Sequence, residues 1–225
     1  MTKNTQQQTE RAFASSPCAS PDLADPEQAR DVARWRKAER SRLRAARLDM
    51  TVASRQDKGA DMARHLDDLL QDRFDGAHGL TVSFYWPIKG EPNLRALMVQ
   101  LHEQGVQIAL PLVETRAAPL VFRRWTPETR MVHGDWNIPV PPPEAEQVTP
   151  DITLAPLVGW DDEGYRLGYG GGYFDRTLAA LSPRPVTIGI GFESARLATI
   201  FPQPHDISLD FILTEAGLRI AKDTR

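Results

Sequence analysis

A glycine-rich segment with a cation before it and a carboxylate after it carries the clearest chemical signal in the chain. It reads Arg166-Leu167-Gly168-Tyr169-Gly170-Gly171-Gly172-Tyr173-Phe174-Asp175-Arg176. Glycine lets the backbone approach a ligand closely, and free N–H groups that lead into a helix form an anion site. Arg166 adds a positive charge, and Asp175 could hold a metal ion. Glycines alone would favour a surface turn, but the flanking residues favour a nucleotide with its magnesium ion.

The same segment resembles a known family. Gly164-Tyr165-Arg166-Leu167-Gly168, followed by Tyr173-Phe174-Asp175, is similar to the signature of the 5-formyltetrahydrofolate cyclo-ligases, also called methenyltetrahydrofolate synthetases. It is neither a Walker P-loop, since no Gly-Lys-Ser/Thr follows, nor a G-x-G-x-x-G dinucleotide fingerprint. The resemblance covers about residues 30–215. It implies ATP- and magnesium-dependent closure of 5-formyltetrahydrofolate to 5,10-methenyltetrahydrofolate, with release of ADP and phosphate.

The resemblance assigns roles to most residues of the segment. It implies catalytic roles for Arg166, Tyr173 and Asp175. Phosphoryl transfer needs positioning and charge neutralisation more than a protein nucleophile, which suits glycine amides and arginines. The ATP-binding set that it implies is Arg36, Lys37, Arg40, Arg166, Leu167, Gly168, Tyr169, Gly170, Gly171, Gly172, Tyr173 and Phe174.

The arginine-rich stretch before residue 50 supplies further phosphate candidates. Arg36 and Arg40 are four residues apart and share one helix face. The family carries a Lys-x-x-x-Arg pair there, so Arg36 departs from it by replacing lysine, and Lys37 is an adjacent candidate. Position 169, often arginine in relatives, is tyrosine here, so one positive charge is missing or supplied elsewhere. Phe174 likewise replaces a second tyrosine and removes a hydroxyl.

Candidates for the folate follow the first predicted strand. Glu91 lies in a loop after a Pro–Gly turn, and in the resembling family this carboxylate holds the pterin, whose N–H donors suit it. A glutamate that simply favours a helix N-terminus is the alternative. Trp86 could pack against the ligand ring or belong to the core. The full substrate-binding set is Arg40, Trp86, Glu91, Tyr169, Gly170, Gly171, Gly172 and Tyr173.

A metal pair is implied by the family at Asp175 and Asp206. Magnesium prefers a few carboxylates together with phosphate oxygens and water, which fits two acids that meet a nucleotide. The alternative for Asp206 is a turn or cap residue. Trp125 and Trp136, which flank a loop, are expected to serve structural packing.

The elements that must position these residues alternate between strand and helix. Asp25-Pro26-Glu27 predicts a helix to about Met50, and Thr51 opens another to about Phe74. Residues 139–143 predict an extended connector. We expect an α/β fold with a mostly parallel sheet flanked by helices, resembling the sugar-phosphate isomerase and CoA-transferase group. Further helices are predicted at 93–104 and 173–181, and strands at 80–86, 106–110, 120–125, 152–158, 186–192 and 207–213.

Composition limits the remaining possibilities. The 225 residues suit a polar tail over 1–27 and one catalytic domain over 28–220. The single cysteine, Cys18, and the polar N-terminus predict a cytoplasmic protein. A net charge of −3 predicts no pull toward nucleic acid, no apolar run suits a membrane, and we expect a monomer. The alternatives are a non-catalytic nucleotide- or RNA-binding member of the fold, favoured by the basic stretch at 34–47, and a sugar-phosphate isomerase with Glu91 as base.

Overall fold

A computed structural model of the chain describes residues 26–222. The predicted tail, residues 1–27, lies outside the described part except for residues 26 and 27, which begin the first helix. The helices are α1 (Pro26–Asp49), α2 (Val52–Phe74), α3 (Arg95–Glu103) and α4 (Tyr173–Ala180). The strands are β1 (Thr81–Ser83), β2 (Gln107–Leu112), β3 (Val121–Trp125), β4 (Val132–His133), β5 (Pro139–Val140), β6 (Gln147–Val148), β7 (Ile152–Pro156), β8 (Gly159–Trp160), β9 (Arg166–Leu167), β10 (Val186–Ile190), β11 (Phe211–Thr214) and β12 (Gly217–Ala221).

The main sheet has eight strands in the order β12-β11-β10-β7-β1-β2-β3-β6. The strands from β11 through β2 pair in parallel, while β12, β3 and β6 add antiparallel edges. The central strands β7 and β10 are almost completely buried, as expected for a parallel sheet covered on both faces. The predicted mostly parallel α/β fold is therefore confirmed.

Two clusters of buried apolar side chains cover the two faces of this sheet. The larger cluster packs α2 and α3 on one face, through residues such as Leu66, Leu70 and Met98. The smaller cluster lies on the other face and includes Leu43 of α1 and Leu178 of α4. Because Leu43 packs with Leu178, α1 lies against the half of the sheet that carries the glycine-rich segment.

Thr51 caps α2, because its hydroxyl accepts from the Ser54 N–H at 3.1 Å.

Some element bounds differ from the prediction. The first strand ends at Ser83, and residues 84–86 continue without a regular ladder. The last predicted strand, 207–213, begins only at Phe211, because the preceding residues connect to the Asp206 turn. Part of the predicted connector at 139–143 forms β5, which pairs with β4. The short hairpin β8–β9 was not predicted, because a pair of two-residue strands gives no periodicity.

Within the described residues, no helix has both the length and the apolar character needed to cross a membrane.

Candidate functional site

The glycine-rich segment forms a loop between β9 and α4, residues 168–172. Gly170 and Gly172 have positive φ angles of 97° and 64°, which explains why glycine suits these positions. A side chain added at Gly168 would meet nothing within 4 Å, so the loop faces open space there. The space beside Gly170 and Gly172 is bordered by the guanidinium groups of Arg40 and Arg176. The loop therefore combines open backbone with two cations, which is the chemistry of an anion site.

Arg166 and Asp175 close the base of this loop through a two-pronged ion pair. The distances are 3.0 Å from Nη1 to Oδ1 and 3.2 Å from Nη2 to Oδ2. The backbone N–H of Ile207 also donates to Asp175, at 3.2 Å. The Arg166 guanidinium lies 4.7 Å from the Phe174 ring centroid, so the ring that replaces tyrosine still packs on a cation.

Arg36 is held by partners within the protein. It forms an ion pair with Asp206 and donates through Nε and Nη2 to the carbonyls of Ile200 and Phe201, both at 2.9 Å. Burial opposes ionisation of Asp206, but hydrogen bonds from Arg36 and the Gln203 N–H outweigh it and lower the pKa of the carboxyl group. Arg36 thus anchors the segment 200–206, and its role as a direct ATP ligand stays a prediction.

Arg40, one turn further along α1, reaches the glycine loop itself. Its Nε donates to the Gly168 carbonyl at 2.8 Å. Burial and the neighbouring charge of Arg36 lower its pKa. Lys37 is exposed on another side of the helix, and the structure gives its side chain no partner among the described residues. The geometry therefore brings Arg40 to the loop and does not bring Lys37 there.

Glu91 meets the glycine loop through Tyr169. The Tyr169 hydroxyl donates to Glu91 Oε1 at 2.9 Å and accepts from Arg47 Nη2 at 2.6 Å. The other Glu91 oxygen accepts from the Ile88 N–H at 2.9 Å. Only 7% of Glu91 is exposed, and this burial raises its pKa against the opposing hydrogen bonds and nearby cations. Burial and the Glu91 charge also raise the pKa of Tyr169 to about 12.

Three cations that the sequence assigned to no site surround the Tyr169 ring. Arg44, Arg47 and Lys89 lie 5.4, 5.9 and 5.8 Å from its centroid. Arg47 is 5% exposed, and the buried Nε atoms of Arg44, Arg47 and Arg176 have no hydrogen-bond partner. The helical spacing could have identified Arg44 and Arg47, because they follow Arg36 and Arg40 on one face. Three positively charged side chains therefore lie beside position 169.

The remaining aromatic candidates differ in exposure. Tyr173 packs edge-on against Trp136, with ring centroids 5.7 Å apart, and lies under the Arg176 guanidinium. Trp136 is 67% exposed, which disagrees with an ordinary packing role, whereas Trp125 is buried as expected. Trp86 is half-buried beneath Arg95. The side chain of Leu167 is completely buried, so any contact with ATP at this position would involve its backbone.

Asp175 and Asp206 lie in the same part of the site. Ile207, the residue after Asp206, donates its N–H to Asp175. Asp175 forms an ion pair with Arg166, and Asp206 forms one with Arg36. Among residues 26–222, no cluster of three or more His, Cys, Asp or Glu side chains is arranged to hold a metal. A magnesium ion that arrives with a nucleotide needs only one or two protein carboxylates, because phosphates and water complete its shell. The two acids are compatible with that minimal arrangement.

Comparisons with known proteins show which family the chain is similar to. The model of the 5-formyltetrahydrofolate cyclo-ligase family matches residues 32–215. A protein of that name from Haemophilus influenzae is 27% identical over 180 residues, covering 77% of this chain and 94% of the relative. One from Mycolicibacterium smegmatis is 33% identical over 144 residues, covering 60% and 74%. The solved structure of the Aquifex aeolicus 5,10-methenyltetrahydrofolate synthetase superposes with a TM-score of 0.70 at 26% identity, covering 84% of this chain and 94% of that one.

Proposed function

Because the chain belongs to the 5-formyltetrahydrofolate cyclo-ligase family, we propose that it uses MgATP to convert 5-formyltetrahydrofolate into 5,10-methenyltetrahydrofolate, ADP and phosphate. It is an enzyme of this family. The observation that carries it is the Tyr169 hydrogen bond to Glu91, which joins the phosphate-type loop to a buried carboxylate suited to a pterin.

The loop supports the binding of the ATP phosphates. Gly168 leaves the backbone open, and Arg40 and Arg176 border the glycines. The unpartnered Nε of Arg176 is a buried donor beside this loop, and such donors are costly unless a ligand or water satisfies them. An anion with several oxygen atoms would satisfy that donor and neutralise the arginines.

Glu91 supports the folate assignment. A pterin presents adjacent N–H donors, and a carboxylate can accept two of them side by side. Each Glu91 oxygen has one protein donor, so each retains a lone pair for a ligand. The half-buried Trp86 lies five residues before Glu91 in the chain, and the exposed Trp136 contacts Tyr173 of α4, so both offer apolar surface to a flat ring.

The proposed chemistry needs no protein nucleophile. The formamide oxygen of the substrate attacks the γ-phosphorus of ATP, the bond from that phosphorus to the bridging oxygen breaks, and ADP leaves. The N10 amine then attacks the activated formyl carbon and loses its proton, and phosphate departs with the former formamide oxygen. The protein aligns the two substrates and neutralises charge, and Arg40, Arg166 and Tyr173 are the proposed contributors.

Magnesium enters this scheme as part of MgATP. The proposed protein ligands are Asp175 and Asp206, whose carboxylates each keep one oxygen with a single protein donor. The ion would neutralise phosphate oxygens at the loop. The arginines bound to these acids would hold them in place.

A direct assay tests the proposal. The protein is incubated with 5-formyltetrahydrofolate, Mg²⁺ and ATP, and the methenyl product is followed by its near-ultraviolet absorbance. We expect product only when all three are present, with one ADP released per product. Folded protein that forms no product would refute the proposal. The RNA-binding alternative predicts salt-steep RNA binding without ATP turnover, but Arg36, Arg40 and Arg47 of the basic helix are turned toward the protein's own groups.

A further inference from the structure

Arg47 is a buried cation of the site to which the proposed reaction gives no role. Only 5% of the residue is exposed, and its Nε atom has no hydrogen-bond partner among residues 26–222. Its guanidinium contacts the Tyr169 hydroxyl, 2.6 Å from Nη2, and the Leu157 carbonyl, at a long 3.5 Å from Nη1. A buried donor without a partner is unfavourable, so this guanidinium holds donor capacity that the protein itself does not use.

A structural role explains only part of this arrangement. Arg47 lies in the last turn of α1, where the helix dipole favours a cation. The dipole does not require burial, because an exposed side chain gains the same interaction. Burial comes instead from Gly90, whose φ of 76° suits glycine, since a Cβ added there would lie 3.6 Å from Cγ of Arg47. The segment that carries Glu91 therefore packs directly on the stem of Arg47.

Glu91 and Arg47 together present acceptors beside donors. The Tyr169 hydroxyl bridges them, since it lies 2.9 Å from Oε1 of Glu91 and 2.6 Å from Nη2 of Arg47. Each Glu91 oxygen keeps a lone pair, and Arg47 keeps the unused Nε–H. Leu157, which contacts Arg47, directly follows β7, so the pair lies at the carboxyl end of the sheet, where open α/β sheets bind ligands.

The edge of a pterin carries the complementary pattern. Its 2-amino group and N3–H are neighbouring donors, and the carbonyl at C4 beside them is an acceptor. Glu91 satisfies only the two donors. A carboxylate alone does not distinguish a 4-oxo ring from a 4-amino ring, because both offer it neighbouring N–H groups. A donor next to the carboxylate is needed to recognise the C4 carbonyl.

The positive charge around Tyr169 also opposes a 4-amino ring. A 2,4-diaminopteridine that pairs with a carboxylate carries an extra proton and therefore a positive charge. Arg44, Arg47 and Lys89 lie 5.4, 5.9 and 5.8 Å from the Tyr169 ring centroid and would repel that charge. Specific sites commonly combine attraction of the correct ligand with repulsion of the wrong one.

We propose that Arg47 donates a hydrogen bond to the C4 carbonyl of the pterin and makes the site selective for 4-oxo over 4-amino pteridines. Glu91 holds the donor edge of the ring, and Arg47 recognises the acceptor beside it. The inference rests on the proposed use of 5-formyltetrahydrofolate and adds the residue that determines which pteridine is accepted.

The experiment measures two ligands by calorimetry without ATP, so that neither reacts: 5-formyltetrahydrofolate and the same molecule with an amino group at C4. We expect the wild type to bind the 4-oxo ligand about 100-fold more tightly, because the 4-amino ligand leaves Arg47 unpaired. Arg47→Met keeps the apolar stem and removes the donors. It should weaken the 4-oxo ligand about 10- to 100-fold without weakening the 4-amino ligand. Arg64→Met, which removes an exposed arginine of α2, should leave both affinities unchanged.

Arg47→Lys provides a second variant, because it keeps a positive donor of different shape, and it too should lose more affinity for the 4-oxo ligand than for the 4-amino ligand. The inference fails if the folded variants bind both ligands like the wild type. It also fails if they lose both equally, since that would mean that Arg47 only positions Glu91 through Tyr169. Selectivity that depends on Arg47, in a wild-type protein that forms no methenyl product from MgATP, would refute the proposed function and leave the pterin contact standing. Normal turnover with unchanged selectivity in Arg47→Met would do the reverse.

Discussion

The phenolic oxygen of Tyr169 lies 2.9 Å from Oε1 of Glu91, although 78 residues separate them in the chain. Tyr169 belongs to the glycine loop, and Glu91 follows the end of β1. On its other side the same hydroxyl accepts from Arg47 of α1. A single side chain therefore ties together the helix, the loop proposed for phosphates and the carboxylate proposed for the pterin.

Tyr169→Phe tests whether this link positions Glu91. Without the hydroxyl, Glu91 and Arg47 each lose a buried hydrogen-bond partner, which costs about 1–3 kcal/mol. We expect the KM for 5-formyltetrahydrofolate to rise about 5- to 10-fold, with a smaller change in the KM for ATP. Steady-state kinetics in both substrates measures this difference. Equal effects on the two KM values would mean that the hydroxyl only stabilises the fold.

Glu91→Gln should separate function from stability. The amide can still accept from the Ile88 N–H and donate to Tyr169, but it loses the charge that suits a pterin, so folate binding should weaken by about 10- to 100-fold. Burial raises the pKa of Glu91 above the ordinary glutamate value of 4.5. The contribution of the Glu91 proton to the free energy of unfolding is therefore complete below pH 4.5, and it is lost as pH rises through the folded-state pKa. The variant should therefore gain stability relative to wild type as pH rises above about 4.5 and through the folded-state pKa of Glu91.

Chemical denaturation across this pH range measures that gain. A constant difference in unfolding free energy between the two proteins would show that Glu91 does not titrate abnormally. The expected gain in stability of Glu91→Gln at higher pH measures what burying this charged carboxylate costs the wild type, since binding sites commonly sacrifice stability for function.

Asp206→Asn should have the opposite pH dependence. Hydrogen bonds from Arg36 and Gln203 lower the pKa of Asp206, so its contribution is present above its ordinary value of 3.8 and is lost as pH falls through the lower folded-state pKa. Near neutral pH the variant should lose about 3 kcal/mol, because Arg36 is left buried without its partner. Thermal melts should converge with wild type in strong acid. Equal melting temperatures of Asp206→Asn and wild type at neutral pH would contradict a stabilising ion pair between Arg36 and Asp206.

Much of the fold follows from local pattern. The buried run Ile152–Pro156 and the cap at Thr51 are legible in the sequence because each depends on neighbouring residues. The partners of the charged groups cannot be predicted from local pattern, since Arg36 and Asp206 form their ion pair although 170 positions separate them in the chain. The glycine loop could be recognised from its own residues, but its connection to Glu91 and Arg47 depends on how α1 packs on the sheet.

The Arg166–Asp175 pair can be tested for separate structural and catalytic roles. Asp175→Asn leaves Arg166 buried without a counter-charge and should lose about 3–5 kcal/mol of stability and at least about 100-fold in turnover. The double variant Arg166→Gln with Asp175→Asn replaces the ions with a neutral amide pair, so stability should recover in part while turnover stays low. Denaturation and the methenyl assay report the two properties. Recovered turnover in the double variant would remove both side chains from the chemistry.

Two glycines of the loop allow ligand approach to be distinguished from backbone strain. Gly170 has a φ of 97°, so Gly170→Ala should lose about 1–3 kcal/mol of stability through strain alone. At Gly168 φ is not positive and an added methyl group meets nothing within 4 Å, so Gly168→Ala should fold with near wild-type stability. That methyl group would nevertheless occupy the space proposed for a phosphate, and the KM for ATP should rise about tenfold. Melting curves paired with ATP titrations distinguish the two cases, and an unchanged KM in Gly168→Ala would place the phosphates elsewhere.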